Sequence, residues 1–173
     1  MKMMIIPATP RLIPSVLPGV LFAALLCGCA FGPPPQPGEP MAAVESRLGT
    51  PSARFASGGE TIHEYGAGAF GQFTYMARYG ADGRLRSYEQ VLTDAKFATV
   101  KLGLDDKTSI LHTFGHPAET MYLSRRDLEV WSYRYKQSGV WDAMMHIHFS
   151  RDGKVREMMA GPDPMRDHRE GFF

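Results

Sequence analysis

The segment His146-Ile147-His148 holds the residue types and spacing closest to metal chemistry in this chain. On an extended strand, side chains two positions apart share a face, so both imidazoles can approach one ion. Met144 lies on that face too. A site needs further ligands, and the remaining candidates, His63, His112, His116, Glu129 and Asp142, are dispersed along the sequence. His112 and His116 have helical spacing, but Gly115 interrupts the helix between them. Two readings stay open for His146 and His148: a metal or small-ligand site, or the polar face of a sheet. Ser57-Gly58-Gly59 and the run Gly66 to Gly71 are glycine-rich, yet neither has the residue pattern of a phosphate loop between a strand and a helix. They read as hairpin connections. No Ser-x-x-Lys or Gly-x-Ser-x-Gly pattern occurs, and the carboxylates are scattered. The sequence assigns no catalytic residue and no cofactor.

Cysteine is the other reactive type. Both cysteines, Cys27 and Cys29, close the one long apolar run. Lys2 and Arg11 precede that run with no acid nearby. From Val16 to Leu26 it spans about eleven residues, the length of a signal-peptide core. A membrane-spanning helix needs about twenty, and Pro14 and Pro18 would interrupt one. Leu26-Cys27-Gly28-Cys29 resembles a bacterial lipobox: small Gly28 precedes Cys29, whereas bulky Leu26 precedes Cys27. That resemblance implies a leader of residues 1–28 and lipidation of Cys29, with diacylglycerol on its sulfur and an acyl group on its new amine. Membrane lipid is then the first partner. Each buried CH2 contributes about 0.8 kcal/mol, so two or more chains anchor stably where one does not. Ala30 in place of Asp favours the outer membrane under the enterobacterial sorting rule, with the protein facing the periplasm. Cys27 would leave with the leader and Cys29 would become a thioether, so no nucleophilic, redox or metal-binding thiol would remain.

The chain carries 19 basic and 18 acidic residues. Loss of Lys2 and Arg11 would bring the net charge to about −1, which offers no basic excess for nucleic acid. A remainder of about 145 residues suffices for one domain or two small repeats.

The remaining sequence supplies the elements that would position these groups. Residues 29–40 combine the modified cysteine with the proline-rich stretch Phe31 to Pro40, expected as an extended spacer of about 3.1 Å per residue. Val44 with Leu48, and Ile110 with Phe114, line one side of two short helices. Gly49 and Gly115 would end them in left-handed caps, with Pro51 and Pro117 preventing resumption. Thr108 or Asp106 could cap the second helix. Asp82-Gly83 and Asp152-Gly153 mark hairpin turns between alternating runs. Phe73, Tyr75, Ala77 and Tyr79 share one strand face, as do Ala143, Met145, Ile147 and Phe149; both read as core faces beneath the helices. Trp131, Tyr133 and Tyr135 form a third same-face set. The landmarks recur in fixed order, an indication of internal duplication. The expected fold is α+β: two tandem repeats, each a short helix or helical hairpin on a three- to four-stranded antiparallel sheet. The first would cover residues 41–92 and the second 108–161. A connector at 93–107 and a fraying tail at 162–173 complete the plan.

The pattern apolar-x3-Leu/Phe-Gly-x-Pro, then Trp-x-Tyr, then a strand and Asp-Gly, resembles the SmpA/OmlA (BamE-type) outer-membrane lipoprotein family. It also resembles the wider superfamily with the fold of the β-lactamase inhibitor protein. Phe114-Gly115-His116-Pro117, Trp131-Ser132-Tyr133 and Asp152-Gly153-Lys154-Val155 carry the match best, and Leu48-Gly49-Thr50-Pro51, Tyr65 and Asp82-Gly83-Arg84-Leu85 carry it more loosely. The resemblance implies a non-catalytic protein-binding or scaffolding module in envelope assembly or maintenance. Its partners would be other envelope proteins, docked on an open sheet face or a connecting loop. Trp131, Tyr133 and Tyr135 are the candidate partner-binding residues.

Overall fold

The computed structural model describes residues 32–166. Cys27, Cys29 and the leader lie outside them, as do residues 167–173. The described residues form an α+β structure with two four-stranded antiparallel sheets, each a meander in sequence order. The first contains β1 (Ala53–Ser57), β2 (Glu60–Gly66), β3 (Thr74–Tyr79) and β4 (Leu85–Gln90). The second contains β5 (Glu119–Leu123), β6 (Leu128–Gln137), β7 (Trp141–Phe149) and β8 (Val155–Pro162).

A short helix precedes each sheet. α1 (Met41–Leu48) follows Pro40, whose side chain cannot cap. Its first N–H is satisfied instead by the carbonyl of Gly83 in the β3–β4 turn. α3 (Lys107–Phe114) has its own signal, a reciprocal capping box between Asp106 and Ser109. The Lys107 N–H also bonds the Gly153 carbonyl. Gly49 and Gly115 do end the helices, but not as left-handed helical caps. At φ 85°, ψ −170° and φ 80°, ψ −163° they occupy an extended positive-φ region open essentially to glycine alone. Gly83 and Gly153 turn their hairpins at φ 69° and 78°, each beside a register shift in the ladder.

The packing explains which faces are covered. α1 sets Val44 against Ala77, Tyr79 and Leu85 on one face of the first sheet. Ile62 and Met76, on the opposite face, join Ile110 and Phe114 of α3 in one core cluster with Tyr133, Tyr135, Ile147 and Phe149 of the second sheet. α3 therefore lies between the sheets, and its His112 carbonyl accepts from Arg78 on β3. With helix on both sides, β3 buries Met76 as well as Ala77 and Tyr79.

The structure corrects several expectations. Phe73 and Tyr75 do not share the burial of Ala77 and Tyr79; they are 50% and 37% exposed. An eight-residue helix is only about 12 Å long and cannot cover the whole strand face. The connector at 93–107 also contributes to the core. It contains α2 (Asp94–Phe97), capped by Thr93, and buries Phe97 against Phe114, Tyr133 and Tyr135. The expected spacer at 29–40 pairs with the first sheet at its end: the Gly38 N–H bonds the Leu85 carbonyl and the Leu85 N–H bonds the Glu39 carbonyl, both at 2.8 Å. Nor does the tail fray at Pro162, which belongs to β8. Asp163 follows it into full burial, 3.2 Å from the Arg134 guanidinium.

Gly49 and Gly115 have similar torsions but different surroundings. A Cβ at Gly49 meets nothing within 4 Å, whereas one at Gly115 would lie 2.7 Å from the buried Glu64 carboxyl carbon. Gly49→Ala should cost about 1–3 kcal/mol of backbone strain, and Gly115→Ala should cost more. Urea unfolding of the two variants measures the difference; equal losses would mean that Glu64 yields freely.

Candidate functional site

The shortness of α1 leaves part of the first sheet uncovered, and this uncovered part forms the candidate site. Past Leu48 the chain turns at Gly49 and runs along the sheet through Pro51 and Ser52 into β1. The Ser52 hydroxyl donates to the Glu64 carbonyl and accepts from the Gly66 N–H, which fixes that edge. Leu48, Ser52, Tyr65, Ala67, Phe73 and Tyr75 border an open groove of ≈ 400 Å³. Tyr75 stacks on Tyr88 with ring centroids 5.1 Å apart and planes 10° apart, and Tyr88 meets Tyr65 edge-on. Burial pushes the phenols of Tyr65 and Tyr88 above their ordinary pKa, so both remain neutral. No lining side chain is charged. The groove offers ring faces, methyl groups and neutral hydroxyls, a surface suited to apolar contact and hydrogen bonding.

The residues singled out by sequence lie elsewhere. His146 and His148 do share a face of β7, yet their Nδ1 atoms lie beside different residues. Nδ1 of His146 is 2.8 Å from the Ser132 hydroxyl, and Nδ1 of His148 is 3.1 Å from the Glu157 carboxylate. No group of three or more His, Cys, Asp or Glu side chains converges as a metal site among the described residues. Glu129 pairs with Lys107, and Asp142 pairs with Lys136. His112 and His116 stand beside the Phe55 ring. Cys29, the expected lipidation residue, is outside the described residues.

Trp131, Tyr133 and Tyr135 share a strand face as expected, but that face is the core and presents no docking surface. Tyr133 and Tyr135 are buried, and the Tyr133 hydroxyl donates to the Gly115 carbonyl. Trp131 is half-buried, set edge-on to Phe149 with its indole N–H donated to Glu129. Sequence reasoning did not reveal that this face is the core, because alternation marks only which residues share a face. It does not mark which face is covered. The length of α1, legible between Pro40 and Gly49, was the available signal for Phe73 and Tyr75.

No family model matches the chain, and no curated protein matches it. Among solved structures, a DUF4309 family protein (YjgB) from Bacillus subtilis is similar at 14% identity. That alignment covers 70% of this chain and 77% of the other, with a TM-score of 0.32.

Three histidines should make stability pH-dependent. Burial is the largest cause lowering the pKa of His63, His146 and His148, opposed in each case by a nearby carboxylate. The folded state resists protons that the unfolded state accepts. Stability is thus kept above the ordinary histidine value of about 6.5 and lost as pH falls through the lower folded values. The urea midpoint should drop across that window, and His63→Gln or His148→Gln should flatten part of the drop. A midpoint independent of pH there would contradict the assignment.

Proposed function

We propose that this chain is a lipid-anchored, non-catalytic protein-binding module of the bacterial envelope, tethered through Cys29 and facing the periplasm from the outer membrane. The docking surface is the aromatic groove of the first sheet. The observation that carries this reading is the exposure of Phe73 and Tyr75 beside stacked Tyr88, on a sheet whose other face is closed. Exposed aromatic side chains next to uncharged walls are suited to anchoring a partner polypeptide. The lipobox and the resemblance to the SmpA/OmlA family support the envelope setting. Envelope proteins are the partners, and assembly or maintenance of the outer membrane is the setting in which such a module would serve.

We further read the two helix-plus-meander units as tandem repeats. The same tertiary bonds occur in both. Gly38 N–H to Leu85 carbonyl has its counterpart in Gly103 to Val155, and Leu85 N–H to Glu39 carbonyl in Val155 to Asp105. Met41 N–H to Gly83 carbonyl likewise corresponds to Lys107 to Gly153. Each final hairpin carries its register shift at the equivalent place, Arg78/Tyr79 and His148/Phe149.

Two measurements test the proposal. Mass spectrometry of the native N-terminal peptide should find it beginning at Cys29 with the mass of a lipidated cysteine; an unmodified or retained leader removes the anchor. A photo-crosslinking residue placed at Phe73 in intact envelopes should give a discrete adduct with another envelope protein, lost in Tyr75→Ala. Because Tyr75 is partly exposed, that variant should lose only about 1 kcal/mol of stability or less. No adduct at position 73 would exclude the groove as the docking surface.

A further inference from the structure

We infer that the groove of the first sheet receives an aromatic side chain carried on a short helical turn of a partner polypeptide. This rests on the docking and repeat readings above and names the partner's chemistry. The second unit shows the same place filled. Leu48 and Phe114 hold the same position, each just before the glycine that ends its helix. Tyr65 and Tyr133 correspond through their ladders: Tyr65 faces Tyr75 on the next strand, and Tyr133 faces Met145. Two residues further on, Ala67 corresponds to Tyr135. Phe97 of α2 packs against the corresponding three residues of the second unit, with ring centroids 4.7 Å from Phe114, 6.3 Å from Tyr133 and 5.1 Å from Tyr135.

In the first unit the equivalent walls, Leu48, Tyr65 and Ala67, border the open groove. Two of the three are smaller than their counterparts. Leucine stands for phenylalanine and alanine for tyrosine, which leaves room for a ring. The lining carries no charged side chain, and its ring faces and methyl groups suit an uncharged aromatic ring. Phe73 and Tyr75 are placed to flank such a ring, where the second unit has Ala143 and Met145. The second unit thus contains, within its own chain, a template for the ligand of the first: a capped turn in the manner of Thr93–Val100 that presents Phe97.

The probe is a labelled peptide with the sequence of residues 93–100, added to the full chain in detergent and followed by fluorescence anisotropy. Saturable binding is expected, weakened at least tenfold when alanine replaces the phenylalanine of the peptide. Ala67→Tyr, which rebuilds the Tyr135 wall, should also weaken it at least tenfold. Phe73→Ala, an exposed substitution that leaves the core intact, should weaken it severalfold and keeps the test valid if the Ala67 variant does not fold. Binding that ignores the peptide's phenylalanine, or both protein variants, overturns the inference. Self-association of the chain that is abolished by Phe73→Ala would assign the groove to a second copy and overturn it as well. If the peptide does not bind while Phe73 still crosslinks in envelopes, the aromatic anchor is wrong and the docking surface stands. If both fail, the docking reading falls with it.

Discussion

The stacking of Phe97 on Phe114, with ring centroids 4.7 Å apart, joins three parts of the chain that are separate in sequence. Phe97 brings the inter-unit segment, Phe114 brings the end of α3, and Tyr133 and Tyr135 bring the second sheet. Ile62 and Met76 reach the same cluster from the first sheet. Truncating a buried phenylalanine typically costs about 3–5 kcal/mol, a large share of the stability of a domain this size. The two sheets thus depend on one shared core, and a separately folded half would expose part of it.

That shared core leaves the two sheets covered to different extents. α3 has a sheet on either side, and α2 closes the remaining aromatic face of the second unit. α1 works alone, so the first sheet keeps Phe73 and Tyr75 partly in solvent. Where a sheet face is closed, its aromatics contribute stability; where the covering helix stops short, they remain partly exposed. The difference lies in what packs on each sheet.

Polar contacts hold the periphery in a comparable way. Arg134, buried on β6, meets fully buried Asp163, the Glu119 carboxylate and the Ala69 carbonyl. Such a buried charge is tolerated only when its partners surround it, and removal of one partner typically costs about 3–5 kcal/mol. These contacts tie the β2–β3 connection and the chain beyond β8 to the second sheet. They explain why Asp163 is ordered where composition alone suggested fraying.

Much of the local structure was legible in single residues. Gly49 and Gly115 mark the helix ends because their backbone angles exclude other residues, and the Asp-Gly pairs mark the turns for a similar reason. The capping box at Asp106 and the alternation of Ala143, Ile147 and Phe149 are equally local signals. Burial of the Trp131, Tyr133 and Tyr135 face, the entry of Phe97 into the core and the exposure of Phe73 and Tyr75 were not legible, because each depends on which distant element packs there. The sequence by itself determined α1, α3, the Asp-Gly hairpins and the faces that side chains share, since backbone sterics and periodicity act over a few residues. Only the tertiary structure decided which faces are covered. Coverage is set by helix length and by packing between segments far apart in the chain, and that packing leaves a groove open on the first sheet.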